Sequence, residues 1–112
     1  MKQEENRSQI WFKILTSEGK DLDNEMKSWF LPEGVKKGEW FISDSKIGTW
    51  LVTNPKEFIK KNNRVFVAEL DAEEPIIELP GIIWLRKVRL VREATNLDLK
   101  RFGIYRAFRQ II

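Results

Sequence analysis

Ile82-Ile83-Trp84-Leu85-Arg86-Lys87-Val88-Arg89-Leu90-Val91-Arg92 is the stretch on which the fold turns. Its first four residues are wholly apolar and rich in β-formers. From Arg86 onward it alternates, separating Lys87, Arg89 and Val91 from Arg86, Val88, Leu90 and Arg92. This is the longest strand candidate in the chain. Immediately upstream, Pro80-Gly81 is a turn dipeptide closing a short strand over 76–79. Residues 64–70 also alternate but keep apolar side chains on both faces, as a central strand does. Downstream, Thr95 or Asn96 caps a helix with Asp98 in its first turn. Leu99, Phe102, Tyr105 or Ala107, Phe108 and Ile112 then form an amphipathic stripe running toward the end of the chain. Gly103 inside that stripe weakens it by up to about 1 kcal/mol relative to alanine.

Working back toward the N-terminus, residues 1–9 read as a flexible tail and 10–15 (Ile-Trp-Phe-Lys-Ile-Leu) as a first strand. Residues 21–31 are ambiguous: Met26, Trp29 and Phe30 fall at helical offsets, and Pro32 ends the segment. Strands follow over 39–43 and 49–52. Thr53-Asn54-Pro55-Lys56-Glu57 is a helix start, with a capping residue, proline at the first helical position and an acid in the first turn. A short middle helix is expected there, with Phe58 and Ile59 inward, stopping at Asn62-Asn63. The pattern predicts one α+β domain over 10–112: a twisted, mainly antiparallel sheet, a short middle helix and an amphipathic C-terminal helix.

A chain of 112 residues suits one core, and its 42% apolar and 12% aromatic content, five Trp included, can fill it. There is no Cys and no His. Thiol nucleophiles, disulfides, thiolate or imidazole metal sites and histidine-activated serines are therefore excluded. No cofactor and no metal is expected, and an enzyme is the less favoured class. No apolar run approaches the ~20 residues of a membrane helix. The polar start of the chain lacks the apolar stretch of a signal peptide. A cytoplasmic location follows as the expectation, in a host cell if the gene is viral.

The net charge of +3 conceals a polarity. Residues 1–81 carry twelve Lys and Arg against fifteen Asp and Glu, whereas 82–112 carry eight against two. Arginine presents a planar fork of donors that fits phosphate and carboxylate and stacks on flat rings. Arg86, Lys87, Arg89, Arg92, Arg101, Arg106 and Arg109 are thus the candidate binding residues for an anionic partner, protein or nucleic acid. The competing reading is a solvated face. Trp29, Trp40 and Trp50 fit either a stacking platform or the core. Glu69, Asp71, Glu73, Glu74 and Glu78 match no calcium-loop spacing and read as a solvated acidic loop.

Trp29-Phe30-Leu31-Pro32, Gly38-Glu39-Trp40, Gly48-Thr49-Trp50-Leu51 and Asn54-Pro55 together resemble a family of small phage and prophage proteins of unknown function. The family's later valine-rich and arginine-bearing strands would be 65–70 and Val88-Arg89-Leu90. Where that family carries a histidine, this chain has Trp50. The resemblance implies a binding module of viral or mobile-element origin, a counter-defence inhibitor being one form. The middle section also looks like the core of ADP-ribosyltransferase-like folds, for which Glu78 is the one late glutamate available. An active or degenerate transferase, and a virion or homo-oligomeric structural protein, are the alternatives.

Overall fold

The computed structural model describes residues 9–24, 26–71 and 75–105. Within them the chain is essentially all-β. Seven strands, Trp11–Leu15 (β1), Phe41–Ile42 (β2), Thr49–Val52 (β3), Arg64–Leu70 (β4), Ile77–Leu79 (β5), Ile82–Leu85 (β6) and Lys87–Glu93 (β7), form one sheet in the order β2-β7-β4-β1-β3-β6-β5. Every pairing is antiparallel.

The long strand expected over 82–92 is present but bent. β6 and β7 are separated by Arg86 alone, yet β4, β1 and β3 lie between them in the sheet. In a flat sheet that separation would be about 19 Å, whereas one intervening residue spans at most about 7 Å. The sheet must therefore curl back on itself, and it is barrel-like. Both neighbours of the bent strand accommodate the bend with an excursion: one joins β2 to β3, the other β4 to β5.

Curling gives the sheet an inner and an outer face. Trp11, Leu15, Leu51, Phe66, Ile83, Leu85, Val88 and Leu90 fill the inside, joined by Trp29 and Phe41, whose rings stack at 4.0 Å. Phe12, Ile14, Val52 and Val65 point outward and are covered by Leu99, Phe102 and Ile104. A β-bulge between Val67 and Ala68 leaves Val91 unmatched in the β4–β7 ladder. It reverses the alternation, so Arg92 leaves the Val88–Leu90 face on which simple period-two counting puts it.

The α+β expectation is overturned, because both expected helices shrink. The middle helix is a single 3-10 turn, Pro55–Glu57, with the Asn54 side chain accepting from Lys56 N–H. Phe58 is exposed rather than inward. The capping chemistry was correctly placed, but the two apolar residues after it, Phe58 and Ile59, cannot extend a helix. The C-terminal helix is Asn96–Lys100 (α1), started by a Thr95–Asp98 capping box. It stops because Gly103 takes φ 78°, with Gly103 N–H donating to Lys100 C=O and Ile104 N–H to Leu99 C=O. That is a Schellman ending, sealed by packing of Ile104 beside Leu99. Tyr105, expected in the stripe, is exposed. Ala107, Phe108 and Ile112 lie outside the described residues. Nor does a helix form over 21–31. Asp21 N–H donates to Lys27 C=O and Trp29 N–H to Gly19 C=O, so the segment folds back as a loop anchored by Trp29 and Leu31. Among the described residues no helix is long and apolar enough to cross a membrane.

Candidate functional site

The five basic candidates among the described residues divide among different partners. Arg106 and Arg109 lie outside the described residues. Arg86 occupies the bend, its Nη1 donating to Ser45 C=O at 3.1 Å. Arg92, turned outward by the bulge, makes a two-point pair with Asp98 at 2.6 and 3.2 Å. That pair ties β7 to the cap of α1 and holds the Asp98 carboxyl well below the usual carboxylate range, the Thr95 bonds adding to the effect. Arg101 lies over the Phe102 ring at 4.8 Å. Arg92 is thereby committed to holding the C-terminal segment on the barrel, whereas Arg101 covers the ring of its own neighbour.

Lys87 and Arg89 remain, and the structure brings them together with a residue first considered for a different platform. Period-two alternation places both on the outer face of β7, while Val88 and Leu90 are buried inside. Trp40, just before β2, lies beside them. The Arg89 guanidinium is 4.5 Å and the Lys87 ammonium 5.3 Å from its ring centre. Each such contact is worth about 0.5–1 kcal/mol at an exposed site. Glu69 on β4 completes the group: its Oε1 accepts from Lys37 at 2.9 Å and from Arg89 at 3.0 and 3.3 Å. Lys37 first, then Arg89, lowers the Glu69 carboxyl below its ordinary value. Ile42, whose strand partner is Lys87, extends the face with a 68% exposed aliphatic side chain. Three cations, one carboxylate and two apolar side chains thus share the sheet face that α1 leaves uncovered.

The other two tryptophans of that series part company with Trp40. Trp29 is core, and its indole Nε1 is buried without a hydrogen-bond partner among the described residues. Trp50 is half-buried and donates from Nε1 to Asp23 at 2.9 Å. Between them lies a residue that sequence reasoning passed over. Lys13, in the middle of β1, is fully buried on the inner face. Its ammonium donates to Thr49 Oγ1 at 2.9 Å and to the Trp50 carbonyl at 3.2 Å. It also sits 4.7 Å from the Trp50 ring, 5.3 Å from the Trp29 ring and 3.8 Å from Asp21. β1 and β3 share a single matched pair, Phe12 and Val52. Lys13 supplies hydrogen bonds across the seam where the ladder stops. Burial pushes its pKa down to about 8, against the opposing pull of Asp21 and Asp23. The signal was in the sequence: one charge inside Trp-Phe-Lys-Ile-Leu.

A polar cleft of about 730 Å³ opens at the far end of β4 and β7, lined by Ser17, Asn62, Asn63, Arg64, Glu93 and Thr95 among others. Its strongest groups satisfy one another. Arg64 makes a two-point pair with Glu93 at 2.8 and 3.0 Å, Thr95 is engaged with Asp98, and Asn63 Oδ1 accepts from Lys60 N–H. Of the acidic candidates, Glu69 belongs to the Trp40 face, Glu78 lies on the edge strand β5, and Glu73 and Glu74 fall outside the described residues. Among the described residues no cluster of acidic side chains is arranged to hold a metal ion.

Comparison with known protein families, with curated proteins and with solved structures finds no match for this chain.

Proposed function

We propose that the protein is a non-enzymatic binding module that docks on an anionic partner through the outer face of β7. One observation carries the reading: Lys87 and Arg89 converge on the exposed side of Trp40, next to Lys37 and Ile42. A fold stabilised by curling does not gain much, about 0.5–1 kcal/mol a contact, from cations gathered around an indole on its uncovered face. A partner bringing carboxylates or phosphates does, because arginine, lysine and tryptophan together supply charge, directional donors and a flat apolar surface. The resemblance to small phage and prophage proteins, read over roughly residues 28–92, is in keeping with a module whose work is binding.

The test is fluorescence anisotropy with two labelled polyanions, a single-stranded oligonucleotide and a polyglutamate, over a salt series. At least one should bind, with affinity that falls steeply as salt rises, since displaced counterions set that slope. The double reversal Lys87→Glu and Arg89→Glu should weaken binding by tenfold or more. Absence of binding to both probes at low salt would remove the reading.

A further inference from the structure

The same face ends at an open edge of the sheet, and its geometry favours one kind of anion. β2 is the terminal strand, and among the described residues no strand pairs on its far side. In an antiparallel ladder, successive residues point their N–H and C=O groups alternately toward and away from the neighbour. Phe41 is matched with Val88, and Ser43 N–H donates to Arg86 C=O at 2.8 Å, so Phe41 and Ser43 face β7. Ile42 therefore presents its N–H and C=O outward, away from β7, and so does the Trp40 C=O, which shares a peptide plane with the Phe41 N–H. No loop backbone hydrogen bond of the described residues reaches either of them.

Backbone groups and side chains thus coincide. The two residues with outward-facing backbone are the two whose apolar side chains lie on the uncovered face, and Lys87 and Arg89 stand one strand behind them. Lys87 leans over Trp40, toward the edge, and carries no ion pair among the described residues. An incoming strand would find two residues of backbone to pair with, Trp40 and Ile42 to pack on, and cations within a long side chain's reach. Nucleic acid uses only the charge and the indole; an extended acidic peptide uses all of it.

We infer that the partner is an extended, acidic segment of another protein, which adds to the sheet as a strand beside β2. Its carboxylates lie on the outer face toward Lys87 and Arg89, with their aliphatic stems over Trp40 and Ile42, and its alternate residues, which point to the inner face, are apolar. This inference rests on the proposed anion-binding face.

The probe is a synthetic peptide of four Val-Glu repeats, titrated into the full chain and followed by amide exchange and by anisotropy. Binding should protect the Ile42 amide and weaken with salt. Set against Ile42→Ala, which loses the same aliphatic surface, Ile42→Pro removes in addition an N–H that β7 does not use, a substitution that edge strands tolerate. It should cost tenfold or more in peptide affinity relative to Ile42→Ala while leaving the thermal midpoint within a few degrees. Should Ile42→Pro unfold the chain, protection of Ile42 in the unsubstituted protein decides. Peptide bound without protection of Ile42, or bound equally by folded Ile42→Pro and Ile42→Ala variants, overturns strand addition and leaves the anion-binding face standing. Oligonucleotide bound and peptide refused does the same. Refusal of peptide, polyglutamate and oligonucleotide alike removes both readings.

Discussion

Lys13 sits where the interior of a sheet ordinarily holds an aliphatic side chain, and its energetics follow from that position. Burial depresses its pKa from 10.5 to about 8, so between those values the unfolded chain binds more protons than the folded one. Stability therefore rises with pH across that window, by about 3 kcal/mol in total at 1.36 kcal/mol per unit. Urea unfolding at pH 7.5 and pH 10 measures the rise. In Lys13→Met, which keeps most of the volume and removes the titrating group, the Lys13 share of the rise should vanish. An unchanged pH slope in that variant would sink the assignment. Below pH 8 Lys13→Met should stay within about 2 kcal/mol of the parent, because relief of a buried charge offsets two lost hydrogen bonds. A lysine amid four apolar residues was visible in the sequence, but its partners were not. Thr49 and Trp50 meet Lys13 only through the β1–β3 pairing, and Asp21 through a loop whose sequence is ambiguous between helix and loop. Lys87 and Arg89 were legible as binding candidates from alternation, whereas their meeting with Trp40 depends on the β2–β7 register.

The strands were the most legible elements: Thr49–Val52 and Arg64–Leu70 lie where β-branched and aromatic residues alternate between turn signals. The helices were misjudged for separable reasons. Thr95 and Asp98 marked a real start, and Gly103 marked a real stop that the apolar stripe beyond it disguised. Over 21–31, helical spacing of Met26, Trp29 and Phe30 was coincidental, since Met26 is 90% exposed and only Trp29 is buried. What fixes that loop is close approach at Gly38, where a Cβ would stand 2.0 Å from the Phe30 carbonyl oxygen. Gly38 also donates from its N–H to Leu90 C=O, so it cannot retreat without breaking the approach to β2. Gly38→Ala should cost more than about 2 kcal/mol by displacing backbone from backbone. Chemical unfolding would show it, with Gly34→Ala as a comparison where nothing lies within 4 Å and only the left-handed backbone, φ 57°, is penalised, by about 1 kcal/mol. A loss of under 0.5 kcal/mol in Gly38→Ala would mean that the loop is not held there.

For the molecule as a whole, the decisive feature is that one strand belongs to both arms of the curled sheet. Sequence alternation could propose residues 82–92 as a strand, but it carries no information about a bend or about which strands flank each half. Those depend on pairings between β1 and β4 and between β2 and β7, distant in the chain. Because β6 and β7 are continuous through Arg86, the two arms should open together. Ile83→Ala, at a fully buried position, should cost about 2–5 kcal/mol. Native-state hydrogen exchange should then show the same acceleration at Val88 and Leu90 in β7 as at Leu85 in β6. Acceleration confined to β6 would show that the arms open separately. The bent strand also sets where the chain can change length. One residue inserted between Ile82 and Leu90 would exchange Val88 and Leu90 for Lys87 and Arg89 across the sheet, driving charge inside and aliphatic surface out. Opposite the bend, insertions and deletions are tolerable in the segments joining β2 to β3 and β4 to β5, which leave the ladder there. Drift in length would be recorded there, while residues 82–93 keep a fixed count.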